Sequence, residues 1–360
     1  MSWEYSLATH IWIFSVGRGS SAFIRTGLNQ GFIIDMGGSG DGDFSPAAFI
    51  KKHLAPRLDN YQDHTIAQAL LSHPHKDHIA ECAELKNGLA PKLITCPHDK
   101  SAEEAVNWGR IKNPNADELM DVYKSLYARR NLPLQTIQFK SGRTIPNLEY
   151  GIFYIRPPKA EQLHTDDNEY GNACSIMFYL RHGGHSILFP GDMTPAGMAH
   201  ILAEKSGTEK RYSILDRNHS AKKPDWHEKT SDQPSLRTLL QARGLSVLVA
   251  PHHGLESCYS QELFATMRGG KPQITVISER RHKHENDGCL HKMYQSELGS
   301  WGLPIEQDGE LKKDRKSVST INGHHILIVF EGTGAPKIFA DKDPEQLLAK
   351  IGGKARGAVA

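Results

Sequence analysis

Leu70-Leu71-Ser72-His73-Pro74-His75-Lys76-Asp77-His78 is the stretch on which the fold turns. An apolar run from Ile66 to Leu71 stops abruptly at His73, His75, Asp77 and His78, all able to bind metal. A short apolar run closed by a turn predicts a buried strand with a loop at its C-terminal end. His73 and His75 stand two apart, so on extended backbone they point the same way and can grip one ion. Asp77 and His78 follow once the chain turns, and face a second position nearby. Neutral imidazoles with one hard carboxylate suit zinc, with manganese or iron as further options. Ile79 and Ala80 then begin an apolar helix, which gives the order strand, ligand loop, helix.

That order, His-x-His-x-Asp-His after a strand, resembles the signature of the metallo-β-lactamase fold superfamily. Other stretches resemble its ComEC-like branch, typified by a DNA-uptake protein. They are Phe14-Ser15-Val16-Gly17-Arg18-Gly19-Ser20 and Phe32-Ile33-Ile34-Asp35-Met36-Gly37-Gly38, followed by Asn172-Ala173-Cys174-Ser175, Phe189-Pro190-Gly191-Asp192 and Ala250-Pro251-His252-His253-Gly254. The resemblance implies an α/β fold, an αββα four-layer sandwich with two divalent metal ions at one edge. Zinc is the first expectation and manganese the alternative. The domain expected is a hydrolase over residues 1–340, with a basic loop inserted at about 204–233 and a C-terminal tail over 341–360. ComEC itself is a membrane protein, so the likeness extends only to its hydrolase part.

Site roles follow from the resemblance, residue by residue. On its own, Gly191-Asp192 reads as an ordinary turn after a strand; the family pattern makes Asp192 a carboxylate shared between the ions. Asn172 and Ser175 match the branch's Asn-x-x-Ser, which implies a role for Asn172 in catalysis and for Ser175 in binding substrate. The last ligand of the second ion falls on His284, with His282 as the rival that would otherwise contact substrate. For the first ion, His252 leaves a buried strand and is preferred over His164, while His253 is left to bind substrate or protonate a leaving group. Asp77 counts both as a ligand and as a catalytic carboxylate. Three departures are visible: Ser20 stands where an acid is usual, His75 replaces the branch's Asp, and Arg281-His282-Lys283-His284-Glu285 replaces a Tyr-Gly-His-Pro-like turn.

The activity expected is hydrolysis of a phosphodiester or nucleic acid by a hydroxide bridging the two ions. Arg280, Arg281 and Lys283 would meet phosphate beside the proposed ligand, and Lys222, Lys223 and Arg217 in the basic loop would gather a polyanion. A hydrolase of a small ester, lactone, thioester or phosphocholine-type compound is the alternative, and a non-catalytic binding domain is a third class.

Bulk properties set limits. The chain has 360 residues, 38% of them hydrophobic, and a formal charge of +2, which gives a sizeable core and no overall bias toward a polyanion. Five scattered cysteines without C-x-x-C spacing predict reduced thiols and a cytoplasmic protein. The N-terminus does not read as a signal peptide, and no apolar stretch reaches the ~20 residues of a membrane helix.

Along the chain, strands are expected at 11–16, 22–25, 32–35, 66–71, 92–96, 150–156, 175–181, 185–190, 245–250, 274–278 and 326–330, the last as a terminal strand. Helices are expected at 46–54 behind a Ser45 cap, and at 116–130, 261–268 and 289–299. The stretch 204–233 reads as a long loop and 311–316 as a charged turn.

Overall fold

The structure, a computed structural model, describes residues 8–27, 29–38, 44–58, 66–97, 106–113, 116–127, 148–205, 208–214, 234–267, 270–279, 291–299, 301–332 and 334–351. Its first strands, β1 (Thr9–Ile13), β2 (Ser21–Arg25) and β3 (Gly31–Met36), form an antiparallel meander in which every residue is buried. The chain then crosses over through α1 (Pro46–Phe49) to β4 (Ile66–Leu70), which lies parallel to β3. Ser45 caps α1 as expected, its Oγ accepting from the Ala48 N–H; the rest of the expected helix is a wider π-type turn over Ile50–Leu54. The ligand loop leads into α2 (Lys76–Ile79) and α3 (Glu84–Asn87), followed by β5 (Leu93–Thr95) and α4 (Asp117–Tyr127).

The middle of the chain builds a second sheet from β6 (Glu149–Ile155), β7 (Met177–His182) and β8 (His185–Phe189), with α5 (Pro157–Leu163) and α6 (Asp167–Ala173) between the first two. After α7 (Pro195–Leu202) come β9 (Thr208–Ile214), α8 (Leu236–Arg243) and β10 (Val247–Val249). Then follow α9 (Gln261–Thr266), β11 (Ile274–Ile277) and α10 (His291–Glu297). The last part contributes to both sheets through β12 (Leu303–Gln307), β13 (Glu310–Arg315), β14 (Ser317–Ser319), β15 (His325–Phe330) and β16 (Lys337–Asp341), and ends in α11 (Pro344–Lys350).

The sheet orders are β13-β12-β16-β15-β1-β2-β3-β4-β5 and β14-β11-β10-β8-β7-β6-β9. Strand alternation sorts their side chains into separate cores. Ile11, Ile13, Phe32 and Ile34 from the first sheet join Tyr150, Ile152, Phe178 and Ile187 from the second in one buried cluster. Phe32 joins the sheets directly, its ring 5.4 Å from that of Tyr150 and 5.7 Å from that of Phe178. The alternate residues Trp12, Phe23, Ile33 and Leu327 pack with helical Phe49, Tyr123, Leu347 and Leu348. Phe153, Met177, Leu188 and Leu248 pack with helical Ala160, Tyr170, Ile201, Leu240 and Phe264. The molecule is therefore α/β, with two mixed sheets and helices. Among the described residues, no helix is long and apolar enough to cross a membrane.

Several expectations need correction. Part of the stretch read as a basic loop is β9, paired along the whole of β6 from Glu149↔Ile214 to Ile155↔Thr208. Edge strands tolerate charge, which hides them from a reading based on apolar runs. The same applies to 311–316: all but Lys316 lies within edge strand β13, whose lysines discourage pairing with another chain. The strand at 326–330 is not terminal, because β16 follows and pairs with it. Asn172 lies in the last turn of α6. The expected C-terminal tail over 341–360 contains α11, anchored by buried Leu347 and Leu348.

Candidate metal centre

The C-terminal ends of β4, β8 and β10 lie at one edge, and the loops leaving them carry the ligand candidates. In the first loop, His75 is the extended residue before α2 but makes no side-chain cap. Asn113 takes that role: its Oδ1 accepts from the Lys76 N–H at 2.8 Å and its Nδ2 donates to the Pro74 carbonyl at 2.6 Å. The single turn of α2 then presents Asp77 and His78. The Asp77 carbonyl accepts from the Ser20 N–H at 3.0 Å, which ties the loop to the Gly-rich turn after β1.

The second loop delivers Asp192. Gly191 has φ +59, and a Cβ there would fall 2.9 Å from the Ser72 Cβ, so both the turn and the close approach require glycine. The Asp192 N–H donates to the Ser175 Oγ at 3.0 Å and its carbonyl accepts from the Cys258 thiol at 3.1 Å. In the third loop His252 and His253 both take left-handed backbone, with φ 46 and φ 56. Asp35 does the same at φ 59. Such backbone costs a non-glycine residue roughly 1–2 kcal/mol, and persists where surrounding structure enforces it.

These loops place donors in two groups around Asp192. Its Oδ2 lies 3.6 Å from His73 Nε2 and 3.7 Å from His252 Nε2, and His73 Nε2 is 3.0 Å from His75 Nδ1. Its Oδ1 lies 3.2 Å from His78 Nε2, and Asp77 Oδ2 lies 3.2 Å from His253 Nε2. Ligand atoms of Asp77, His78, Asp192 and His253 all fall within 4.8 Å of one another. This buried cluster can hold a metal ion. The side chains of Asp77 and His252 are 41% and 24% exposed, so the groups open on that side.

The outer nitrogens of the imidazoles are held by the protein. His78 Nδ1 lies 2.8 Å from Asp35 Oδ2, His73 Nδ1 lies 3.1 Å from the Ser72 hydroxyl, and His252 Nδ1 lies 3.0 Å from the Ser257 hydroxyl. Each contact leaves Nε2 facing Asp192, the arrangement in which a histidine is oriented to bind metal. His75 Nε2 is buried without a hydrogen-bond partner, and His78 Nε2, though 3.2 Å from Asp192 Oδ1, makes no well-aligned hydrogen bond to it. Unsatisfied buried imidazole nitrogen is costly, and a cation among these donors would relieve it at His78. The ring of His75 is packed against Gly171, where a Cβ would fall 2.5 Å from its Nε2.

Charge follows the same geometry. Burial lowers the pKa values of His73, His75 and His252, which keeps them neutral and fit to donate a lone pair. Burial acts the same way on His78, but the carboxylates of Asp192, Asp35 and Asp77 outweigh it and raise its pKa. Asp192 would be raised by burial; the charge of His78 is the foremost influence that turns the shift downward, so it stays ionised.

The structure therefore brings together His73, His75, Asp77, His78, Asp192, His252 and His253. The ring of His253 faces Asp77, its Nε2 lying 3.2 Å from Oδ2 within the second donor group. His164 is turned to Thr194 and Glu169, 2.9 and 3.1 Å away, and takes no part. Ser175, expected to bind substrate, is wholly buried behind His73 and Asp192, its Oγ 3.4 Å from His73 Nδ1 and accepting the Asp192 N–H. Asn172 is buried next to Gly171, its Oδ1 without a hydrogen-bond partner. Arg217, Lys222, Lys223, Arg280, Arg281, His282, Lys283 and His284 lie outside the described residues. Sequence reasoning missed the roles of Asp35, Ser72, Asn113 and Ser257. Asp35 had a visible signal, an acid near the end of an otherwise apolar strand, while the other three offered none. No family model and no curated protein matches the chain.

Proposed function

We propose that the chain is a metal-dependent phosphodiester hydrolase with the αββα sandwich of the metallo-β-lactamase fold, holding two divalent ions, zinc or manganese. The observation that carries this reading is the division of the Asp192 carboxylate, with one oxygen toward His73 and His252 and the other toward His78. His73, His75 and His252 would hold one ion and Asp77, His78 and His253 the other, with Asp192 shared. When bound, such a pair supplies Lewis-acid polarisation of phosphoryl oxygens and acidification of a water molecule.

The chain's own residues do the rest. Asp35, Ser72 and Ser257 fix the imidazoles before substrate arrives, so little reorganisation is left for the reaction. Asp77, partly exposed and hydrogen-bonded to His253, stands at the open side. Burial would raise its pKa, but the charge of His78 and the hydrogen bond from His253 bring it below the usual carboxylate range. It is therefore ionised at neutral pH and able to accept a proton from an entering group.

The test is turnover of bis-p-nitrophenyl phosphate, DNA, RNA and a lactone panel by purified protein with zinc and with manganese. Diester hydrolysis should fall by several orders of magnitude in Asp77→Ala and Asp192→Ala proteins that remain folded. Turnover of lactones alone would replace the phosphodiester reading with the small-ester one. Near-normal diester turnover in either variant would overturn the mechanism.

A further inference from the structure

The three large hydrophobic side chains exposed among the described residues are Met293 at 39%, Trp301 at 78% and Leu311 at 63%. They belong to α10, the approach to β12, and β13. Leu303 of β12 pairs with Arg315 of β13, which sets Trp301 beside the passage from Arg315 to Ser317. That passage crosses from the edge strand of the first sheet to the edge strand of the second. A surface pocket of about 240 Å³ opens there, lined by Gln295, Asp314, Arg315, Lys316 and Ser317. Gln295 Nε2 donates to the Ser317 hydroxyl at 2.8 Å, so the two polar groups are fixed to each other. Among the described residues, neither Arg315 nor Lys316 has a carboxylate within ion-pair distance. Two cations without a described ion-pair partner outnumber the one carboxylate of the pocket, Asp314, and with the exposed indole nearby they match an anionic ligand that also carries flat rings.

We infer that this corner binds single-stranded nucleic acid, with Trp301 stacking on a base and Arg315 and Lys316 meeting its phosphates. Stacking on an aromatic with flanking cations is how strands are held without sequence preference. The inference rests on the phosphodiester reading above and narrows its substrate class to a polymer. The pocket is connected to the metal centre by contacts already in place. Along β14, Ser317 leads to Ser319, roughly 7 Å away at the usual strand rise. The Ser319 hydroxyl donates to Glu279, the Ser278 hydroxyl donates to the Gly19 carbonyl at 2.8 Å, and neighbouring Ser20 holds the Asp77 carbonyl. These contacts run through the buried Ser278 and Glu279, and so tie the floor of the pocket to the loop that carries Asp77.

The experiment is binding of a labelled oligodeoxythymidylate of about twelve nucleotides, a length that single-strand sites span, to the full chain in the presence of a chelator. Without divalent ions no hydrolysis intrudes, so this result is separate from the fate of the hydrolase reading. Binding should quench Trp301 fluorescence, and Trp301→Ala should weaken it by about 5- to 150-fold. Arg315→Glu with Lys316→Glu should lower the salt slope by about 1.4, the share of two phosphate contacts on a single strand. Thermal melts of the variants confirm folding. Failure of the wild-type chain to bind, or equal affinity in Trp301→Ala, overturns the site. Inorganic polyphosphate binding as tightly as the oligonucleotide overturns it too, because stacking would then contribute nothing.

Discussion

Asp35 holds His78: its Oδ2 lies 2.8 Å from the ring Nδ1, while its Oδ1 accepts the Ser72 N–H at 2.6 Å and its Oδ2 the Ser72 hydroxyl at 3.0 Å. One buried carboxylate thus fixes both the backbone before His73 and the ring of His78. Asp35→Asn removes the charge while nearly keeping the shape. Metal affinity should fall about 10- to 100-fold, measured by competition with a chromophoric chelator. Unchanged affinity would reduce Asp35 to a structural residue.

His252 and His253 face different oxygens and different partners, so their loss should be read out separately. Each single change to Ala should leave about one of two ions, and the double change none, by elemental analysis. Should His253→Ala keep both ions and lose only rate, the residue returns to proton transfer or substrate contact.

Asn113 supplies the cap that His75 cannot. Asn113→Ala should cost about 1 kcal/mol of stability, the usual size of a lost helix cap. It should also loosen metal binding about tenfold, because the Pro74 carbonyl and Lys76 N–H that Asn113 holds flank His75. Asn113→Asp, which keeps the acceptor for the Lys76 N–H, should recover part of both. A melt lowered equally with and without metal would show that Asn113 serves only the fold.

Acid should destabilise the protein independently of metal. Burial holds the imidazoles of His10, His182 and His325 down to about 3, about 4 and about 4. His325 Nδ1 even accepts the Ser15 N–H, which requires that nitrogen to be unprotonated. The unfolded chain takes up these protons near pH 6.5 and the folded chain does not, so stability is lost as pH falls from there toward 4. At pH 5 the loss is roughly 2 kcal/mol per residue. Urea midpoints at pH 7.5 and pH 5 measure it, and His325→Gln should flatten the difference. An unchanged slope in that variant would sink the assignment.

Much of this was legible along the chain because apolar runs and ligand loops are local signals. Ile66 to His78 announced a strand, a loop and donors in one reading, and Pro251 to Gly254 a turn at a strand end. What stayed hidden was set by tertiary contact. β9 and β13 are edge strands whose charged residues imitate loops. Asn113 and Ser257 are ordinary polar residues until folding brings Lys76 and His252 beside them. That the His253 ring faces Asp77 was not legible either, because spacing alone does not say which way a ring turns on left-handed backbone.

Asp77 meets His253 across 176 positions of chain. Neither donor group can exist in a nascent chain that has not yet delivered β10 and seated it against β8. Metal thus cannot nucleate this fold in the way it does in small zinc domains, where a few neighbouring ligands order the chain. It can bind only once distant segments have closed, the slowest kind of contact to form. Uptake of the ion would then act as a clock for the end of folding, and a chain stalled before residue 247 should emerge with its first ligands displayed and nothing to hold.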